Sequence, residues 1–312
     1  MKIKKSHVSA ALSLVLVVGW ACAGPSDASP SSASSPTLAI AVGEVSSSRT
    51  PATPYAEARA KFQTHLVRMG SAPQAYKPIS APAGAQEIAY RSGALTLKAW
   101  VSAPPANGLR RPAVLFLHGG FSFGEDDWEM SKPYRDAGFV VLTPMLRGEN
   151  GLPGNYSMFF GEVDDVLAAA DALAALPYVR ADRLYIAGHS VGGTLTILAA
   201  MSTGRFRAAA SLSGSPDQAL WGGAQPKLVP FDLNDASEFS IRSPIAYASS
   251  FQAPARLYFG SEEYYFAGNT AKLAELALSA GRDVRAVVVP GDHMSHVAES
   301  MKQSIVFFRE HE

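Results

Sequence analysis

The sequence has a single cysteine, Cys22, and few charged residues for its length. One thiol cannot form an intrachain disulfide, which excludes a fold held together by a disulfide framework. Lysine plus arginine and aspartate plus glutamate both number 27, so no basic excess indicates a nucleic-acid-binding protein. With 47% apolar and 17% charged residues, the 312-residue chain has the composition of a globular protein with a sizeable core.

The sequence also lacks an apolar run of membrane-spanning length near its start, where residues 10–19 form only a short one. This run follows three lysines and precedes small residues around Cys22, a pattern that predicts a secretory signal peptide over residues 1–23. Cys22 then either leaves with the cleaved signal or accepts the lipid of a bacterial lipoprotein, which would tether the protein to a membrane. Both interpretations predict an exported protein, periplasmic or secreted.

Residues 24–54 are rich in serine, proline, alanine and threonine. Such a segment buries too little apolar surface to offset its ordering entropy, so we expect a flexible linker. Residues 55–84 follow as an N-terminal helix and connector. Within them Phe62, Leu66 and Met69 fall at helical spacing and predict a helix over residues 55–69, which Gly70 ends.

Residues 85–312 alternate short apolar segments with amphipathic helical patterns. An antiparallel hairpin is predicted at residues 87–91 and 94–102, and further strands at 113–117, 139–143, 184–187, 208–212, 256–259 and 284–289. Apolar strands without polar alternation, separated by helices, indicate an α/β domain whose mainly parallel sheet is covered on both faces. Residues 214–250 have little periodicity and predict a small lid insertion.

The most informative motif is Gly-His-Ser-Val-Gly at residues 188–192, between a predicted strand and a predicted helix. In this context Gly-x-Ser-x-Gly is typical of a nucleophile elbow, with Ser190 as the nucleophile. The turn strains the serine backbone, and a Cβ two residues to either side would collide with neighbouring elements. The hydroxyl then projects above the sheet at a helix N-terminus, which favours developing negative charge. The alternative is a glycine-rich turn with Ser190 as an ordinary N-cap.

His-Gly-Gly at residues 118–120 ends an earlier predicted strand, and its glycines let a substrate oxygen approach the backbone. We therefore expect an oxyanion hole of backbone N–H groups. One donor is Val191, directly after the nucleophile, and the other is Gly120 or Phe121. His118 itself is interpreted as structural, because it lies too early in the chain for the base of this arrangement.

The base is expected last in the chain, in the order Ser, acid, His. His293 lies in the loop directly after the last predicted strand and is the candidate, while His296, one turn into the next helix, is the weaker one. The acid is expected after the strand at 256–259, where the loop has no aspartate. Glu263 is the first choice, and Glu262 and Asp217 remain alternatives. Such a carboxylate would hold the imidazole Nδ1–H and stabilise the imidazolium.

These motifs, with Arg-Gly-Glu-Asn-Gly at 147–151 and Ser-Pro-Ile at 243–245, resemble the α/β-hydrolase superfamily. Within it the chain is similar to the prolyl-oligopeptidase-type catalytic domain and its dienelactone-hydrolase-like relatives, from about residue 90 onward. Two positions differ: Glu263 stands where that family has aspartate, and Ser190 stands where dienelactone hydrolases have cysteine. The peptide-cleaving members often carry a β-propeller before this domain, and the N-terminal segment here is mostly linker. The resemblance thus implies serine hydrolase chemistry more firmly than a peptide substrate.

The predicted reaction is acyl transfer: Ser190 attacks a carbonyl, His293 takes and returns the proton, and Glu263 orients the imidazole. It requires no metal or organic cofactor. A small carboxylic ester is the expected substrate, and a short peptide the alternative, with Arg147 and Glu149 either holding its terminus or only ordering their loop. A non-catalytic binding protein on a hydrolase fold is the third hypothesis.

Aromatic residues of the insertion and the acid loop either line an acyl pocket or pack the insertion onto the body. They are Trp221, Phe231, Phe239, Tyr247, Phe251, Tyr264, Tyr265 and Phe266.

Overall fold

The computed structural model describes residues 53–312 of the chain, and the predicted signal peptide and nearly all of the predicted linker lie outside them. The strands in these residues are β1 (Ala85–Ser92), β2 (Leu95–Ser102), β3 (Arg111–Leu117), β4 (Val140–Pro144), β5 (Val179–His189), β6 (Ala209–Leu212), β7 (Ala255–Gly260) and β8 (Val284–Val289). The α-helices are α1 (Tyr55–Lys61), α2 (Glu125–Met130), α3 (Lys132–Asp136), α4 (Gly161–Ala174), α5 (Val191–Ser202), α6 (Gln218–Ala224), α7 (Ala236–Arg242), α8 (Tyr264–Ser279) and α9 (Val297–Arg309).

All of these strands form one sheet in the order β1-β2-β4-β3-β5-β6-β7-β8. β1 pairs antiparallel with β2, and β2 antiparallel with β4. Every later pairing is parallel. The mainly parallel sheet with an antiparallel edge hairpin agrees with the sequence prediction. Since parallel strands present their carboxyl ends at one edge, the loops after β3, β5, β6, β7 and β8 are brought together there.

The sheet is buried on both faces, as its unbroken apolar strands require. On β3, Leu115 and Leu117 pack on one side with residues of α1, α4, α5 and α8. Val114 and Phe116 pack on the other side with α3 and α9. The two-sided cover explains why the central strands are continuous apolar runs rather than alternating ones.

The predicted helix over residues 55–69 is wrong in length, because α1 ends at Lys61 and Phe62 is already extended. Tertiary contacts take the following residues out of the helix. Thr64 Oγ1 donates to Glu238 Oε2 at 2.9 Å, and Leu66 forms a β-bridge with Phe231. Phe62 and Leu66 are partly buried on this extended segment, whereas Met69, the third residue at helical spacing, is exposed.

Between β6 and β7, the region of the predicted insertion forms α6, α7 and two 3₁₀ helices, Pro226–Leu228 and Pro244–Ser250. Arg242 and Glu238 form a fully buried ion pair within α7, and Arg242 also donates to Thr64 Oγ1 at 2.7 Å. The N-terminal connector is therefore hydrogen-bonded to this region. No helix within residues 53–312 is both long and apolar enough to cross a membrane.

Candidate active site

Ser190 stands at the turn between β5 and α5 with φ 56° and ψ −114°. A non-glycine residue rarely adopts positive φ, and such strain clusters at functional sites. The glycines of the motif allow the turn: a Cβ on Gly188 would overlap the carbonyl of Gly192, and one on Gly192 would overlap that of Leu117. The strand–turn–helix geometry is that of a nucleophile elbow, as the motif predicts.

Glu263 and His293 are brought together from the loops after β7 and β8. The His293 imidazole Nδ1 lies 2.6 Å from Glu263 Oε1. The Glu263 side chain is buried, whereas 39% of the His293 side chain is exposed. A carboxylate can only accept, so Nδ1 carries the proton and Nε2 of the neutral ring is left as an acceptor.

The Glu263 carboxylate is held ionised. Burial opposes its charge, but hydrogen bonds from His293, Ser213 and the Gly260 N–H outweigh burial and lower the pKa of Glu263 to about 2. Ser213 Oγ and Gly260 N each lie 2.6 Å from Glu263 Oε2. The carboxylate is therefore negative at neutral pH and fixed through both oxygens.

The elbow and the His293 loop are also joined directly. His189, the residue before Ser190, lies with its Nε2 2.9 Å from the carbonyl oxygen of His293, and the two imidazole rings are 4.7 Å apart. Within the described part of the chain, the Ser190 hydroxyl makes no hydrogen bond to His293. Catalytic hydrogen bonds of this kind are often formed only when substrate binds.

The other predicted acids occupy different environments. Glu262 is exposed on the same loop. Asp217 caps α6, with Oδ1 accepting from the Ala219 and Leu220 N–H groups at 3.0 and 3.2 Å. His296, the weaker candidate base, is fully buried and lies on the far side of Glu263, 3.4 Å from its Oε2. Of the predicted carboxylates, only Glu263 reaches His293 in the structure.

The His-Gly-Gly loop passes directly beside the elbow, since a Cβ on Gly119 would lie 3.6 Å from Ser190 Cβ. Val191 is the first residue of α5, so its N–H has no acceptor within the helix. Gly120 adopts φ 66°, and no hydrogen bond from its N–H occurs within residues 53–312. Both groups are available as oxyanion donors.

Phe121, the alternative second donor, differs from the prediction because its N–H is already engaged. It donates to the side-chain oxygen Oε1 of Gln74 at 2.8 Å. Gln74 belongs to the N-terminal connector, and no sequence pattern associates it with this loop. In this conformation Gly120 rather than Phe121 is left to act beside Val191.

Two ion pairs involve the remaining candidate residues: His118 with Glu149, and Arg147 with Asp165. The Nε2 atom of His118 lies 3.0 Å from Glu149 Oε2, and both residues are buried. Burial disfavours the charge on His118, but the Glu149 carboxylate outweighs burial and raises the pKa of His118 to about 9. Arg147 binds Asp165 through Nε at 2.9 Å and a terminal nitrogen at 2.8 Å. These pairs order the loop after β4.

The predicted aromatic residues fall into three groups, of which Tyr264 and Tyr265 form the exposed one, at 83% and 49%. Four pack the interior of the insertion, with exposures of 8% or less: Phe231, Phe239, Tyr247 and Phe251. Trp221 is partly exposed and lies 6.2 Å, centroid to centroid, from Phe121, the residue directly after His-Gly-Gly. Phe266 stacks on the His293 ring at 6.0 Å. Trp221, Phe121 and Phe266 are therefore the aromatic surfaces next to the site.

Three residues beside the site have no role in the sequence prediction: Gln74, His189 and Ser213. His296 is predicted from sequence only as a weaker base. His189 fills a variable position of the elbow motif, and a serine after β6 carries no recognisable signal. Each reaches the site through contacts between distant segments.

A model of the prolyl oligopeptidase family matches residues 126–306 of the chain. The uncharacterized peptidase YtmA of Bacillus subtilis (strain 168) is 30% identical over 197 residues, which are 56% of this chain and 72% of YtmA. The residues that the family model matches contain the elbow, the acid loop and the His293 loop.

Solved structures show the same fold. The acylaminoacyl peptidase of Pyrococcus horikoshii (orthorhombic crystal form) is 21% identical with a TM-score of 0.58, over 72% of this chain and 41% of the peptidase. This chain therefore spans about two fifths of that enzyme. A hyperthermophilic esterase from the archaeon Pyrobaculum calidifontis is 17% identical with a TM-score of 0.58, over 72% of this chain and 85% of the esterase. These likenesses confirm the predicted α/β-hydrolase fold.

Proposed function

Because the chain belongs to the prolyl oligopeptidase family of serine hydrolases, we propose that it hydrolyses small carboxylic esters through an acyl-enzyme on Ser190. The observation that carries the proposal is the 2.6 Å contact of His293 Nδ1 with the buried Glu263 carboxylate, beside the elbow. This contact fixes the tautomer in which His293 Nε2 is a base.

In the proposed first step, Ser190 Oγ forms a bond to the ester carbonyl carbon while its proton passes to His293 Nε2. The carbonyl electron pair moves onto oxygen, which accepts hydrogen bonds from the Val191 and Gly120 N–H groups. Collapse of the tetrahedral intermediate expels the alkoxide, which His293 protonates. Water then attacks the acyl-enzyme by the same route and releases the acid.

Ester hydrolysis is favoured over peptide hydrolysis by the state of two charged side chains. Arg147 and Glu149 are the residues that would hold a peptide terminus, and both are committed elsewhere, Arg147 to Asp165 and Glu149 to His118. The partly exposed Trp221 and the stacked Phe266 supply apolar surface instead. An uncharged acyl or aryl group fits such surroundings.

A short-peptide hydrolase is the second candidate function, because the family model and the relative in Bacillus subtilis are both named as peptidases. It would use the same three side chains. The difference lies only in the substrate, since an amide needs a protonated amine as leaving group where an ester releases an alcohol.

The test compares the parent protein with S190A and with S202A, which removes a hydroxyl from α5 that bonds only within the helix, to the Leu198 carbonyl. A fluorophosphonate probe and p-nitrophenyl acetate and butyrate report the serine and the esterase activity, and aminoacyl p-nitroanilides report the peptidase activity. We expect labelling and ester turnover in the parent and S202A but not in S190A. Turnover of anilides alone would make the peptide hydrolase the function. A folded parent with no labelling would leave a non-catalytic binding protein.

We also propose that the protein is exported and that its signal ends within residues 1–23, on the pattern around Cys22. Intact mass of the protein from its membrane and soluble fractions tests this, with C22A as the control. A lipid-sized mass increment that disappears in C22A supports the lipoprotein. An unmodified chain beginning after residue 23 supports plain cleavage, and a chain retaining Met1 contradicts export.

A further inference from the structure

Behind the Glu263 carboxylate lies a chain of hydrogen bonds that the reaction above does not use. Ser213, at the end of β6, donates its hydroxyl to Glu263 Oε2 at 2.6 Å. The Nε2 atom of His296 lies 2.7 Å from Ser213 Oγ, and the other ring nitrogen, Nδ1, lies 2.8 Å from Ser300 Oγ. These hydrogen bonds join the loops after β6, β7 and β8 with α9.

The donor and acceptor capacities of these groups allow the hydrogen bonds to run in only one direction. A carboxylate has no proton to give, so the Ser213 hydroxyl must donate to Glu263. The Ser213 oxygen then accepts from His296 Nε2–H, and the neutral His296 ring accepts at Nδ1 from the Ser300 hydroxyl. Every donor along the chain therefore points toward Glu263, and such aligned bonds strengthen one another.

The surroundings hold this arrangement in place. Ser213, His296 and Ser300 are all exposed by 3% or less. Ser213 also adopts φ 53°, a strained conformation that persists only where neighbouring contacts impose it. Burial, above all, lowers the pKa of His296, which keeps its ring neutral and in the donor–acceptor state that the chain requires.

We propose that Ser213 and His296 are positioning residues, which fix the Glu263 carboxylate so that Oε1 faces His293. This inference rests on the proposed serine hydrolase function. Neither residue touches substrate, and both act through Glu263. Without them the carboxylate keeps the Gly260 N–H but loses its only side-chain donor other than His293 within the described residues.

A positioning role for Ser213 should also affect the pH dependence of catalysis. The titratable groups that face this cluster from the surrounding elements are Glu263, His293, His296, His189 and Asp292. When Ser213 no longer donates, the Glu263 carboxylate is held only by the Gly260 N–H and His293. The pH profile of kcat/KM in S213A should therefore differ from that of the parent, because this profile reports the essential acid and base of the free enzyme.

The experiment uses S213A, H296F and H296Q, with S304A as the matched control. The amide introduced by H296Q would retain an N–H near the position of His296 Nε2, whereas phenylalanine has none. S304A removes another buried hydroxyl of α9, which bonds to Tyr134 rather than to the site. For each variant kcat, KM, the pH profile and the rate of fluorophosphonate labelling are measured, and circular dichroism checks folding. The NMR signal of the His293 Nδ1 proton is recorded as a readout that needs no substrate.

We expect kcat of S213A and H296F to fall about 10-fold with little change in KM, the rate equivalent of one charge-assisted hydrogen bond. The Nδ1 proton signal should move in both variants, while H296Q recovers most of the rate and S304A matches the parent. Folded S213A and H296F with parental kcat, pH profile and proton signal would overturn the proposal. An unlabelled parent refutes the proposed function instead, and an Nδ1 signal unmoved by S213A then also refutes the positioning role.

Discussion

His189 donates from Nε2 to the carbonyl oxygen of His293 across 2.9 Å, although 104 positions separate the two residues in sequence. The residue before the candidate nucleophile thus holds the loop that carries the candidate base. Burial, first of all, and the neighbouring His293 lower the pKa of His189 to about 4. The ring stays neutral at physiological pH and keeps the proton that it donates.

This depressed pKa predicts a loss of stability in acid. A histidine that is harder to protonate when folded contributes fully above its unfolded pKa of about 6.5, and the contribution falls as pH drops toward 4. The largest contribution of this effect to the free energy of unfolding is roughly 3 kcal/mol, at about 1.36 kcal/mol for each pKa unit. The free energy of unfolding in urea should be measured for the parent and H189Q between pH 7 and pH 4. Its slope against pH should be shallower in H189Q, although His296 lowers stability in acid in the same direction. An equal slope would contradict the assignment to His189.

The contribution of His118 to stability should change with pH in the opposite direction. Because its pKa is raised to about 9 by Glu149, the buried pair stabilises the fold fully below about pH 6.5 and progressively less as pH rises to 9. Unfolding free energies of the parent and H118Q between pH 6 and pH 9.5 should converge at the alkaline end. A constant difference across this range would show that folding does not raise the pKa of His118.

The carboxylate beside His293 can be identified by substitution. E263Q should lower kcat by about 10³- to 10⁴-fold, because a neutral amide neither stabilises the imidazolium nor enforces the Nδ1–H tautomer. D217A should keep parental kcat and lose only about 1 kcal/mol of stability, the effect of removing a helix cap. Steady-state kinetics and thermal unfolding measure both. The reverse pattern would make Asp217 the acid.

Removing the Gln74 side chain should increase activity. Its side-chain oxygen takes the Phe121 N–H in the loop predicted to hold the oxyanion, so Q74A frees a donor for the substrate. One neutral hydrogen bond of about 1 kcal/mol corresponds to roughly a fivefold gain in the rate of fluorophosphonate labelling. Q74E, which retains an acceptor, serves as the control. Slower labelling of Q74A would mean that Gln74 instead supports the shape of the loop.

Two glycines of the chain should respond oppositely to alanine. In G192A the new Cβ would overlap the Leu117 carbonyl on the neighbouring strand, so we expect a loss of several kcal/mol or failure to fold. G268A, in α8 with nothing within 4 Å of the new Cβ, should be stabilised by up to about 1 kcal/mol. Thermal melts of the two variants provide the comparison. Tolerance of G192A would refute the tight elbow geometry.

The sequence determined the elements whose signals are local. Short apolar strands are buried on both faces, so their composition alone predicted the mainly parallel sheet. The Gly-x-Ser-x-Gly turn was readable because a steric requirement fixes its glycines at set positions. Local pattern failed at residues 62–69, where an extended segment joins Thr64 to Glu238 of α7 and Leu66 to Phe231, and Met69 is exposed.

Tertiary structure alone decided which separate segments meet. Three carboxylates were open from sequence, and only the loop geometry after β7 brings Glu263 to His293 while Asp217 caps a helix. The contacts of Gln74 with Phe121 and of Ser213 with His296 join residues 47 and 83 positions apart. Such pairings leave no periodicity in a sequence, because they depend on how the sheet edge gathers its loops rather than on neighbouring residues.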